Sequence, residues 1–262
     1  AAEAWNIKHP AHGRIKLNLF PGQIKALQHW QENRYSLTLK ARQIGYSTLA
    51  AFFSTWLTFF GADREIIMIS RTEREAIDLL RKAKYGYDNL DDWIKQRGPQ
   101  PTVDHQQKMV FDNASSITSM PSASDPARGS SAFLVIVDEW AFLPNAEDAW
   151  SSIEPVADVG GRVIGLSTAN GSGNWFHQAW VGAETGDNLF APLFQSWRAN
   201  GDRDDDWYAS KKASMLPWQL AQEYPNTPEE AFIKSGNPVF DLDVLASLEL
   251  DCVPPQTGYL VA

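Results

Sequence analysis

Short unbroken apolar runs alternate along the chain with longer stretches of helical spacing. The sharpest run is Phe133 to Glu139, FLVIVDE, in which five apolar residues lead straight into two acids. Apolar residues without alternation predict a strand buried on both faces, as in a parallel sheet. Glu65 to Ser70 (EIIMIS) and Arg162 to Leu166 (RVIGL) predict two more strands, Tyr35 to Lys40 (YSLTLK) an alternating one, and Phe190 to Trp197 a last one. Residues 108–112 (KMVFD) and 116–120 (SITSM), with Asn113-Ala114 between them, predict a hairpin.

Gln23 opens a helical stretch, QIKALQHWQENR. Tyr46 to Phe60, rich in Ala, Phe and Leu, predicts a largely buried helix stopped by Gly61. Thr72 and Glu75 form a T-x-x-E capping box for a helix running to about Ala83. Shorter helices are expected at Asp91 to Gln96, Glu147 to Val156 and Asn174 to Trp180. From Asp204 onward helices dominate: WYASKKASM, PWQLAQEY and a Pro-started turn at Pro228-Glu229-Glu230. Residues 1–22 read as irregular and 121–131 as a Ser/Pro/Gly-rich loop. Strands alternating with helices imply an α/β protein, a mainly parallel sheet flanked by helices. Its core covers about 24–200 and a small helical C-terminal subdomain about 201–236; 237–262 reads as a linker.

Composition narrows the function. The chain has 262 residues, 44% apolar and 21% charged, which suits a sizeable core and not disorder. A net charge of −9 argues against a free-standing nucleic-acid binder, which would carry a basic excess. The single Cys252 excludes an internal disulfide and a Cys-based zinc site, and the five His have no metal-ligand spacing. No apolar run reaches the roughly 18–20 residues of a membrane span, and no signal peptide opens the chain, so a reducing, cytoplasmic setting is expected.

Two acids at the carboxyl end of a buried strand stand where open α/β sheets bind ligands. Asp138 suits a Mg²⁺ shell, because Mg²⁺ takes one or two carboxylates beside phosphate oxygens. Glu139, one residue on, is expected to point the other way and to orient or deprotonate a water. Leu37 to Thr48 (LTLKARQIGYST) reads as strand, turn and helix, the element whose loop amides and helix N-terminus face a phosphate. It departs from GxxxxGK[ST]: Lys40 takes the first Gly position and Tyr46 the lysine position, while Gly45 and Ser47 match. The phosphate cation is then Lys40 or Arg42, with Ser47 beside Asp138 on the metal. Thr48 adds a second hydroxyl or packs the helix.

These motifs, in this order and spacing, resemble the large terminase subunit of tailed bacteriophages. KARQIGYST is similar to that family's deviant Walker A loop, and Phe133 to Glu139 to its Walker B strand with the adjacent catalytic Glu. Phe20-Pro21-x-Gln23 resembles its upstream glutamine motif, Ser167-Thr168-Ala169-Asn170-Gly171 its coupling motif, and Arg128-Gly129 its arginine finger. Gln222-Glu223-Tyr224-Pro225, Pro228 to Phe232 and Ser235-Gly236 resemble the stretch closing the ATPase domain. The resemblance implies a P-loop ATPase of the ASCE type over residues 1–236, with ATP and Mg²⁺ as ligands.

It further implies roles. Gln23 reads adenine. Lys40, Arg42, Gln43, Ile44, Gly45, Tyr46, Ser47 and Thr48 form the phosphate loop. Ser47 and Asp138 hold the metal, and Glu139 and Arg128 act catalytically with Lys40. Ser167, Thr168 and Asn170 couple γ-phosphate loss to DNA grip. Implied partners are double-stranded DNA, the portal protein, the small terminase subunit and further copies in a ring on the prohead, with a monomer the alternative state of the isolated unit. No membrane is involved, and the setting is the cytoplasm of an infected bacterial host. The family's C-terminal nuclease would begin with a strand like Gly258 to Ala262, so DNA cutting is not expected. A helicase-like ATPase and a nucleotide-binding scaffold without turnover are the competing readings.

Overall fold

The computed structural model of the protein describes residues 4–122 and 131–233. A small antiparallel hairpin, β1 (Asn6–His9) and β2 (Gly13–Lys16), precedes helix α1 (Pro21–Glu32). Next come β3 (Tyr35–Lys40), α2 (Tyr46–Phe60), β4 (Glu65–Ser70), α3 (Glu73–Asp88) and the short α4 (Asp92–Lys95). Strands β5 (Pro101–His105), β6 (Lys108–Phe111) and β7 (Ser116–Pro121) lead to β8 (Leu134–Asp138), α5 (Ala146–Asp158), β9 (Arg162–Ser167), α6 (Trp175–Thr185) and β10 (Ala191–Gln195). Three helices, α7 (Asp205–Ser214), α8 (Pro217–Glu223) and α9 (Pro228–Ile233), follow.

The main sheet is eight-stranded in the order β10-β3-β9-β8-β4-β7-β6-β5. Neighbours from β10 to β7 pair in parallel, and β6 and β5 add an antiparallel edge. Alternate residues of each central strand enter two separate cores. Ile66, Met68, Leu134 and Ile136 pack with α2 and α3, beneath Trp30, Leu49, Phe53 and Leu80. Ile67, Ile69, Val135 and Val137 pack with α5 and α6, against Ile153, Val156, Phe176 and Trp180. Two covered faces explain why these strands are apolar throughout.

The alternation in β3 separates two faces that are both buried. Leu37 and Leu39 join the α5–α6 core. Of the polar set, Thr38 accepts from the Trp30 indole at 3.2 Å, and Lys40 is 4% exposed. The expected β6–β7 hairpin forms, and the Thr72–Glu75 capping box closes α3.

Several elements differ from the sequence expectation. The hairpin within 1–22 has one apolar residue per strand, Ile7 and Ile15, too little for a periodic signal. It is held by Trp5 and Leu17 in the core and by the Asn6 and Arg14 bonds to Asn89. β5 is exposed at every residue and forms only because β6 templates it. α3 runs past Ala83 to Asp88, since Tyr87 is buried and Gly86 is a notch for Trp5. A Cβ on Gly86 would sit 1.9 Å from the Trp5 ring. α6 extends to Thr185, where Gly186 takes the left-handed cap. Arg128, Ser235, Gly236 and the 237–262 stretch lie outside the described residues.

Candidate active site

β3 and β8 are separated by β9 alone, so their carboxyl ends converge at one edge of the fold. The chain leaves β8 through Glu139, whose φ of 54° and ψ of 46° are left-handed. An L-residue with a Cβ adopts this at a cost of roughly 1–2 kcal/mol. The turn corrects the strand-alternation expectation: Glu139 does not point away from Asp138. Both acids line a single cavity of about 340 Å³, together with Arg42, Ser47, Thr168, Arg71 and Lys82.

Lys40 lies just behind that wall. Its Nζ donates to Glu139 Oε1 at 2.8 Å, with the lysine side chain 5% and the glutamate 39% exposed. Glu139 Oε2 accepts from the Thr168 amide at 3.4 Å. Burial opposes ionisation of Glu139. The Lys40 ammonium, the Thr168 amide and Arg42 outweigh it, so the carboxyl is held below the usual carboxylate range. Asp138 shifts the other way: burial and then the Glu139 charge push it up, against the pull of Lys40, Ser47 and Lys82. Its Oδ1 is buried with no hydrogen-bond partner among the described residues. A carboxylate with one free oxygen, next to the Ser47 hydroxyl at the start of α2, is a donor set that fits a hard cation such as Mg²⁺.

The loop between β3 and α2 is built on two left-handed residues, Gln43 at φ 57° and Gly45 at φ 80°. Its side chains divide. Ser47 reaches the cavity, whereas Ile44 and Tyr46 are each 2% exposed and lie in the core. The Tyr46 ring packs edge-on to Trp30, and its hydroxyl donates to the Gly22 carbonyl at 2.9 Å. The side chains of Ile44 and Tyr46 are therefore structural, and only their backbone remains available to a phosphate. Thr48 is half-buried and outside the cavity lining, while Gln43 is exposed. Arg42 lines the cavity but also binds Glu223 Oε1 at 2.9 Å, and its side chain is 58% exposed.

Gln23 is committed internally. Its Oε1 accepts from the Phe20 amide at 3.1 Å and its Nε2 donates to the Ile44 carbonyl at 3.0 Å. The residue is 5% exposed, and a Cβ on Gly45 would approach its Nε2 to 2.8 Å. With both ends of the amide satisfied, Gln23 is a latch between α1 and the phosphate loop in this structure, not a free edge for a base.

The segment after β9 also divides. Thr168 reaches the cavity, but Ser167 and Asn170 turn toward the 3₁₀ turn Trp140–Phe142 that follows Glu139. Ser167 Oγ accepts from the Ala141 amide at 3.0 Å, and Asn170 Nδ2 donates to the Ala141 carbonyl at 3.0 Å. Both polar ends of Ala141 are thus held from the end of β9 and the segment that follows it.

Sequence reasoning missed Arg71, Lys82, Arg203 and Glu223. Arg71 follows β4 directly and bonds Glu75 at 2.7 Å; Lys82 belongs to the α3 face of Glu75, Asp78 and Leu79. A cation just past a strand that neighbours the acidic strand was the available signal. Arg203 and Glu223 meet the loop at sequence separations of 160 and 181, which no local pattern reveals. In the acidic run Asp202, Asp204, Asp205 and Asp206, Asp204 caps α7 and Asp205 pairs with Arg198.

Comparison with known proteins places the chain in a family. The profile of the family described as terminase large subunit, T4likevirus-type, N-terminal matches residues 37–233. The fold is similar to the large terminase ATPase domain of Thermus phage P74-26, at 19% identity and a TM-score of 0.65 over 79% of this chain and 92% of that one. It is also similar to the bacteriophage HK97 large terminase, at 14% identity and a TM-score of 0.66 over 94% of this chain and 56% of that one. The large terminase of a thermophilic bacteriophage, in complex with ATP-gamma-S, gives 14% identity and a TM-score of 0.55, over 76% of this chain and 50% of that one. The chain thus spans about half the length of the last two proteins. Among the described residues no helix is long and apolar enough to cross a membrane. The profile covers the β3–α2 loop, the acidic strand and the closing helices, and the chain belongs to the T4likevirus-type large terminase subunits, whose N-terminal domain it carries.

Proposed function

We propose that this domain binds ATP with Mg²⁺ and hydrolyses it to move double-stranded DNA into a prohead. The observation that carries the reading is the meeting of Ser47, Asp138 and Glu139 at one cavity, with Lys40 bonded to Glu139 behind its wall, from segments far apart in the chain. Phosphoryl transfer asks little of a protein beyond positioning and charge, and these residues supply both. Lys40 is the main phosphate cation, since it is buried and already placed; Arg42, in an exposed pair, is the second. Ser47 and Asp138 hold Mg²⁺, which would neutralise charge on the phosphate oxygens. Glu139, kept ionised by its neighbours, orients the attacking water and takes its proton. Tyr46 lies in the core, and in this reading the ammonium comes from Lys40 instead, which weighs against an inactive scaffold.

By the family resemblance, Arg128 enters the site of a neighbouring copy as an arginine finger, within a ring that works with the portal protein and the small subunit in the host cytoplasm. The test is an ATPase assay across protein concentration. Specific activity should rise steeply with concentration and fall about 10³-fold or more in Arg128→Ala. ATP binding without hydrolysis at any concentration would overturn the motor reading.

A further inference from the structure

Arg203 has no part in the sequence motifs, yet it grips the phosphate loop from outside. Its Nη1 donates to the Arg42 carbonyl at 3.0 Å and its Nη2 to the Gln43 carbonyl at 3.0 Å. The guanidinium lies 4.4 Å from the Trp207 ring centre and 5.2 Å from that of Tyr224. Two aromatic faces hold the fork in place, and burial lowers its pKa from the ordinary arginine value without discharging it. The same loop is held again at Arg42, whose amide donates to the Glu223 carbonyl at 2.8 Å.

We propose that Arg203 is the positioning residue that presets the phosphate-binding amides of this loop. A trans peptide is planar, with its C=O and N–H directed oppositely. Holding the Arg42 and Gln43 carbonyls toward Arg203 therefore turns the amides of Gln43 and Ile44 away from it, onto the other side of the loop. The fork also fixes the left-handed turn at Gln43, which a residue with a Cβ enters at a cost. Successive N–H groups arranged through a left-handed residue form an anion-binding concavity. A lysine cannot replace the fork, since one ammonium on a flexible stem does not hold two adjacent carbonyls in a fixed plane. Arg203 stands just before α7, so the loop's readiness for a phosphate depends on the helical part beyond β10.

This inference rests on the nucleotide-binding reading of the cavity, and the experiment separates the two. The full chain is compared with Arg203→Ala and Arg203→Lys by steady-state ATPase kinetics and by hydrogen exchange of the peptide covering 41–47. The expected result is a KM for ATP raised about tenfold or more in both variants, with kcat changed much less, and faster exchange of the loop. Millimolar guanidinium should restore KM in Arg203→Ala and not in Arg203→Lys. An unchanged KM in folded variants, or full rescue by Lys, overturns the proposal. If the wild-type chain does not bind ATP, the ATPase reading fails alone, and unchanged loop exchange in the variants still overturns the role of Arg203.

Discussion

The Lys40 ammonium donates to the Glu139 carboxylate at 2.8 Å across a sequence separation of 99 residues. The contact joins the end of β3 to the turn after β8. Under the proposed function, a phosphate oxygen would compete with Glu139 for the ammonium, and nucleotide entry would free the carboxylate for water. Glu139→Gln should bind a fluorescent ATP analogue with affinity near wild type while kcat falls about 10²–10⁴-fold. Equilibrium binding and turnover measured on the same preparation check this.

Lys40→Met should behave differently. Glu139 is only partly buried, at 39% side-chain exposure, so solvent still reaches the carboxylate when its partner is removed. We expect the melting temperature to stay within a few degrees and nucleotide affinity to collapse. A large loss of melting temperature by calorimetry would instead give Lys40 a structural role.

Gln23 holds the Phe20 amide and the Ile44 carbonyl. Gln23→Ala removes one buried and one partly buried hydrogen bond, each worth about 0.5–1.5 kcal/mol, and slackens the loop. Affinity should fall to a similar extent for ATP and GTP. A loss confined to ATP, measured as the ratio of their KM values, would return Gln23 to the role of base reader.

Ser167 and Asn170 hold the two ends of Ala141, two residues past Glu139. Ser167→Ala and Asn170→Ala should loosen that turn and lower kcat about tenfold with KM little changed, as expected when a catalytic group is misplaced. Stopped-flow turnover at saturating ATP measures it.

His177 gives a pH dependence. Its Nδ1 accepts from the Gly173 amide at 3.1 Å, and its ring packs on Phe232. Burial lowers its pKa, partly opposed by Glu184. The folded state thus favours the neutral ring. Its stabilising contribution is present above the ordinary imidazole value and is lost as pH falls through the lowered folded one. Melting temperature should drop between about pH 7.5 and pH 5, and less so in His177→Gln, where the titrating group is gone.

Much of this architecture was legible because it is written in local pattern. The inner residues of EIIMIS and the first five of FLVIVDE are apolar without a break, since their strands are covered on both faces, and T-x-x-E marks the start of α3 through its own hydrogen bonds. The convergence of Lys40 with the acidic pair followed from where parallel strands end. What stayed hidden depends on distant partners. Tyr46 read as a broken phosphate lysine because a sequence does not show which face of α2 meets Trp30. Glu139 read as pointing away from Asp138 because strand alternation holds only until the chain turns left-handed. Arg203 and Glu223 touch the loop from the far end of the chain, and β5 exists only through its partner strand.

The most direct measurement is a crystal structure of this chain with a non-hydrolysable ATP analogue and Mg²⁺. Lys40 Nζ should lie within hydrogen-bonding distance of a β- or γ-phosphate oxygen, with Ser47 and Asp138 on the metal side and Glu139 released toward a water beyond the γ-phosphate. An analogue bound elsewhere, with the Lys40–Glu139 contact intact, would contradict this arrangement.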